Sequence, residues 1–241
     1  MFAIDHAATA LLVKRRYPRV PLVPLLIAVQ AMELAWVALN YLGVERTTTE
    51  ATVRSVADIH LAFIPYSHSV ATALGAALLA WLAIEKGWHR PALGRAVGLG
   101  IVSHLVLDLA THAHDIVLWP GLASPALGLG LYGAAPFGAF VLELIYGIVC
   151  WAVYRGSRAL LATIVLFNVG NLSLLSTGIP GPGGAPAGRP LVVVTVILAQ
   201  IVVTLACVGV FATRRPGTAT IARTPDLVAP GHASNRSLLA G

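Results

Sequence analysis

The segment 103–112 sets two imidazoles and a carboxylate into an otherwise apolar run, with His104, Asp108 and His112 four residues apart. At about 100° per residue the three fall along one stripe of a helix, each about 6 Å above the last. Imidazole nitrogen and carboxylate oxygen are donors that a zinc-type ion accepts. A carboxylate inside an apolar bundle costs several kcal/mol unless a cation or an aqueous cavity compensates it. The stripe therefore points to a metal site inside a membrane protein.

Three other segments carry side chains of the same chemistry. His68 lies in Pro65-Tyr66-Ser67-His68-Ser69, where flanking hydroxyls suit the orienting of an imidazole ligand. Glu33 lies deep in an apolar stretch, three residues from Gln30 and read as sharing its helix face. His6 stands next to Asp5 near the N-terminus. The expected metal ligands are His6, His68, His104 and Asp108, with Glu33 as an alternative to His6. Glu33 and His112 are the expected catalytic proton carriers. The ion is zinc or another divalent transition metal, with one position kept for a water whose pKa zinc can lower to about 7. His60, close to Asp58, reads equally as a solvated side chain or as an entrance or ligand residue, whereas His89, His114, Asp115 and His232 read as solvated. Glu143, Asn168, Asn171 and Gln200 read as hydrogen-bonding groups between helices.

The elements that must hold these residues follow from composition. With 57% hydrophobic and 11% charged residues over 241 positions, the chain lies outside the range of soluble domains. Stretches of roughly 20 apolar residues, enough to cross a ~30 Å hydrocarbon core, occur at 20–44, 65–84, 91–110, 136–154, 159–177 and 191–213. The expected fold is an all-α polytopic transmembrane bundle of six spans. Residues 2–13 add a short half-helix or interfacial helix. Residues 1–213 form the bundle, with the metal-site half in 1–135 and supporting helices in 136–213, and 214–241 is expected to be a disordered cytoplasmic tail. A Gly/Pro-rich segment with Trp119 and Tyr132 at 115–135 reads as a cap at the outer interface. Residues 179–189 read as an external loop. Cys150 and Cys207 lie inside apolar spans and read as small buried residues.

The formal charge of +6 does not imply nucleic acid, because the basic residues sort by loop. Lys14, Arg15, Arg16 and Arg19, then Lys86, Arg90 and Arg95, then Arg155 and Arg158, then Arg214 and Arg215 alternate with sparsely basic loops bearing Arg46, Arg54 and Arg189. The positive-inside rule makes the first set cytoplasmic. No basic n-region with a cleavage site precedes the first span, so targeting is expected from the spans, to a bacterial inner membrane. Walker, GxGxxG, CxxC and GxSxG patterns are missing, which disfavours nucleotide-driven transport and a serine hydrolase elbow.

His6, Glu33, Ser67-His68-Ser69, and Ser103-His104 followed by Asp108, Thr111 and Leu118-Trp119-Pro120 together resemble the YdjM-like family of bacterial membrane proteins, described as membrane-bound metal-dependent hydrolases. The likeness covers roughly the first 120 to 135 residues. The chain differs where family members carry an Asp-rich motif, having Met32-Glu33-Leu34, and where they carry His-Arg-Gly, having Phe63-Ile64-Pro65-Tyr66. The resemblance implies a metal site and hydrolysis. A lipid or lipid-linked ester or phosphoester on the outer-leaflet side is the substrate expected at that depth. The alternative is a transporter, or an integral subunit of a larger complex, whose His, Asp and Glu line a path. A haem anchor using paired histidines is a third class.

Overall fold

The computed structural model describes residues 1–50, 53, 55–121, 124–175 and 189–213. The expected tail, most of the 179–189 loop, and Arg54, Arg214 and Arg215 lie outside the described residues. Nine helices form the bundle among them: α1 (Ala3–Arg16), α2 (Leu22–Val29), α3 (Ala31–Tyr41), α4 (Val70–Leu82), α5 (Pro91–Thr111), α6 (Leu131–Ala134), α7 (Pro136–Tyr154), α8 (Arg158–Leu175) and α9 (Pro190–Thr213). Five are long and apolar enough to cross a membrane, counting α4 with the π-helical turn that extends it to Gly87, and the bent pair α2–α3 makes a sixth. The architecture is all-α, as the composition predicts. α5, α7 and α9 each begin with proline as the first helical residue, where its missing amide costs nothing.

The packing sets an apolar exterior around a core that is itself largely apolar but encloses buried polar groups. Leu74, Leu79, Leu142, Ile145, Val196 and Val202 are exposed on the flanks of the long helices, while Asp5, His6, His104, Asp108, Glu143 and Asn168 are buried. An apolar exterior around buried polar groups is what a lipid solvent selects.

The short first helix runs to Arg16, three residues past the expected end, and its burial among other helices fits a half-helix and not an interfacial one. Ile4, Ala7, Ala8, Ala10 and Leu11 are fully buried, and α1 touches α2, α5, α7, α8 and α9. Its buried Ala7, Ala8 and Ala10 permit that close approach from several sides.

Two span boundaries also differ from the sequence expectation. Residues 20–44 are not one helix: α2 and α3 meet at a 56° bend, with Gln30 between them at φ −111°, ψ 6°. Gln30 and Glu33 therefore share no helix face, and the Gln30 amide instead donates to the Ala3 carbonyl at 3.0 Å. The second span starts at Val70, not Pro65, because the Ser69 hydroxyl caps it by accepting from the Thr72 amide at 3.1 Å. His68 consequently lies in the turn before α4.

The outer segments carry short strands that hydropathy does not reveal. β1 (Arg46–Thr49) pairs antiparallel with β2 (Ile59–Phe63), and β3 (Ile116–Val117) with β4 (Ala126–Leu127). The Leu118 and His68 carbonyls accept from the Ala71 and Val117 amides, at 3.0 and 3.3 Å, so the strand after α5 straps the His68 turn. Gly128, at φ +139°, lets the returning chain lie against Ala113, whose carbonyl oxygen is 1.9 Å from where a Cβ would stand.

Candidate metal centre

Four segments deliver the site: the first turns of α1, the start of α3, the turn before α4, and the last two turns of α5. Each local structure has a sequence cause. The bend at Gln30 breaks the α2–α3 ladder and frees the Val29 carbonyl. His104 Nδ1 takes it at 2.7 Å. A carbonyl only accepts, so Nδ1 carries the proton and Nε2 keeps its lone pair.

The same accounting fixes His68. The Ser67 hydroxyl donates its single proton to Glu45 Oε2 at 2.6 Å. It must then accept from His68 Nδ1, 2.7 Å away, again leaving the lone pair on Nε2. Glu45 is 3% exposed, and its other oxygen also accepts the Tyr66 and Ser67 amides, each at 2.8 Å. At His112 the Asp115 carboxylate plays this part, 3.1 Å from Nδ1. His112 itself caps α5 in extended conformation, one residue beyond the helix, so the expected helical stripe ends at Asp108. Carboxylate, hydroxyl and carbonyl partners on the far nitrogen are the arrangement that orients metal-ligating imidazoles.

The freed Nε2 atoms converge on two carboxylates. His104 Nε2 lies 2.9 Å from Asp108 Oδ2 and 3.9 Å from Glu33 Oε2. His68 Nε2 is 3.5 Å from the same Glu33 oxygen, and His112 Nε2 is 4.0 Å from Asp108 Oδ1. His6 Nε2 reaches Asp108 Oδ1 at 3.1 Å. Neither His68 Nε2 nor His104 Nε2 makes a hydrogen bond, and both are buried. Lone pairs facing carboxylate oxygens at these distances repel unless a positive charge lies between them. Ligand atoms about 2.0–2.1 Å from a tetrahedral ion stand about 3.3 Å apart, inside the observed range of 2.9 to 4.0 Å. The donor set fits a divalent transition metal.

Donor atoms close enough to share one ion form three triads: His6, His104 and Asp108; Glu33, His68 and His104; His68, Asp108 and His112. All six predicted site residues are thus brought together, but not as expected. His6 and His68 fall in no common triad, so the four expected ligands do not surround one point. His112, expected to carry protons, has the geometry of a ligand. Asp115, expected to be solvated, orients it. Among the described residues no Lys or Arg pairs with Glu33 or Asp108. The terminal ammonium of Met1 donates to Asp108 Oδ1 at 2.8 Å and to Thr111 Oγ1 at 2.6 Å.

Asp5 is not paired with His6. It faces the other side of α1, where the Asn168 amide reaches it at 3.4 Å and Gly147 leaves room for it. Glu143 accepts from the Tyr132 hydroxyl at 2.6 Å, and Gln200 donates to Asn171 at 2.7 Å, so these polar groups tie segments together as expected. His60, exposed on β2, pairs with Glu50 at 2.9 Å.

A cavity of about 540 Å³ opens beside the cluster, within the range that holds a small ligand. His6, Glu33, His68 and His112 line it together with Trp36, Leu61, Leu174, Ile197 and Ile201. His60 lines its rim. The sequence reading missed Glu45, whose only signal was an acidic residue beside Arg46 just past an apolar stretch. Compared with protein-family models, curated proteins and solved structures, the chain matches none.

Proposed function

We propose that this chain is a metal-dependent hydrolase of a lipid or lipid-linked ester or phosphoester, working from within the membrane. The observation that carries the reading is the turning of three Nε2 lone pairs onto Asp108 and Glu33 beside a mostly apolar cavity. Resemblance to the YdjM-like family supports it. Zinc, or another divalent ion, would be held by donors that share one point, such as His6, His104 and Asp108. When bound it supplies Lewis acidity toward a carbonyl or phosphoryl oxygen and toward water.

The chain's own residues account for the remaining work. Glu33, partly exposed to the cavity, takes the proton of the attacking water and returns it to the leaving oxygen. Trp36, Ile197 and Ile201 exclude water and hold an acyl or prenyl chain. The loops bearing Lys14, Arg16, Arg90 and Arg155 would be cytoplasmic by the positive-inside rule, which supports an outer-leaflet side for the reaction. The same rule favours a cytoplasmic C-terminus, and the YdjM-like resemblance is what supports a bacterial inner membrane.

One observation favours the transporter reading: the buried Asp5, Glu143 and Asn168 on the far side of α1 continue the buried polar groups beyond the cluster. Detergent-purified protein assayed on lipid esters and phosphoesters separates the two. Turnover that chelation abolishes, that Glu33→Gln lowers at least 100-fold, and that Glu143→Gln leaves within twofold supports the hydrolase. Absence of turnover across the panel in metal-loaded protein overturns it.

A further inference from the structure

The cluster supplies more donors than one ion can use. A tetrahedral ion takes four ligands at most, and a catalytic one takes three from the protein. Six side chains converge here, so a single ion would leave at least two of them unused. Two of the three triads divide the set. His6 and His104 meet on Asp108, His68 and His112 meet on Asp108, and those triads share no other residue.

The stacking follows the same division. The His6 and His104 rings lie 4.0 Å apart at 19°, and the His68 and His112 rings 5.2 Å apart at 27°. Each pair presents its Nε2 atoms to one region. Asp108 uses both oxygens, Oδ2 toward His104 and Oδ1 toward His6, His112 and the Met1 ammonium. Glu33 stands between the pairs, with one oxygen 3.5 Å from His68 and 3.9 Å from His104.

We propose that the site holds two divalent ions, one on His6 and His104 and one on His68 and His112, bridged by Asp108 and flanked by Glu33. This rests on the metal-binding part of the reading above and goes beyond it in number and arrangement. Carboxylate-bridged ions lie about 3.5–4 Å apart, close enough for paramagnetic ions to couple.

The test is metal-depleted protein in mild detergent, titrated with Mn²⁺, with bound metal per chain measured by elemental analysis and coupling by electron paramagnetic resonance. Two ions per chain with an exchange-coupled spectrum are expected. His6→Ala and His112→Ala should each keep one ion and lose the coupling. One ion per chain in the wild type, or two that do not couple, overturns the two-ion site while leaving metal-dependent hydrolysis standing. No bound Mn²⁺, and none with Zn²⁺ in its place, overturns both. The wild-type stoichiometry decides even where a variant fails to fold.

Discussion

Glu45 sits two bonding partners away from the converging Nε2 atoms, yet through Ser67 it fixes which nitrogen of His68 carries the proton. Outer partners of this kind are worth 10–100-fold in metal affinity. Glu45→Gln keeps the shape but removes the charge that claims the Ser67 proton, and should weaken Zn²⁺ binding by that factor in chelator competition. An unchanged affinity would mean that His68 is no ligand. His6, Glu33, His68, His104, Asp108 and His112 were legible because ionisable groups in apolar segments are costly and so stand out. Glu45 was not legible, since a lone acidic residue past the end of a span reads as solvated, and only the fold brings it 22 residues along to Ser67. Their grouping was not legible either, because it depends on which nitrogen each ring turns inward.

At the scale of elements, the decisive feature is the bend between α2 and α3. It turns a backbone carbonyl into the partner of His104, the membrane use of irregular backbone where it is buried in protein. Gly100, one turn before His104, allows α5 to approach α2 there: a Cβ on it would stand 2.9 Å from Ala28 Cβ. Gly100→Val should separate the helices, cost about 1–3 kcal/mol from overpacking, and weaken metal binding through loss of the Val29 contact, readable as a lower unfolding temperature together with raised metal loss on dialysis. Lower stability with unaltered binding would show that the α2–α5 spacing does not set the site. The apolar spans were legible from length alone. The bend was not, because residues 28–32 are Ala-Val-Gln-Ala-Met, without the proline or glycine that usually marks a break. The strap of β3 across the His68 turn was equally hidden, being a long-range pairing of short segments.

For the whole molecule, the buried polar groups and apolar exterior were implied by a chain that is 57% hydrophobic yet places eight histidines and ten acidic residues along its length. That arrangement explains why α1, too short to cross a membrane, is central: surrounded by five other helices, it lends His6 to the cluster from one side and Asp5 to the α7–α8 side from the other. Its burial could not be read from its own residues, which are as compatible with a surface helix. The reading of the molecule stands on one claim, that the buried imidazoles and carboxylates are a metal centre and not a hydrogen-bonded helix junction. Elemental analysis of chelator-free, detergent-purified protein tests it most directly, beside Asp108→Ala and His104→Ala. Stoichiometric transition metal in the wild type, absent from both variants while they remain folded, is the predicted result. A wild type free of metal, or variants that keep their metal in full, would contradict it.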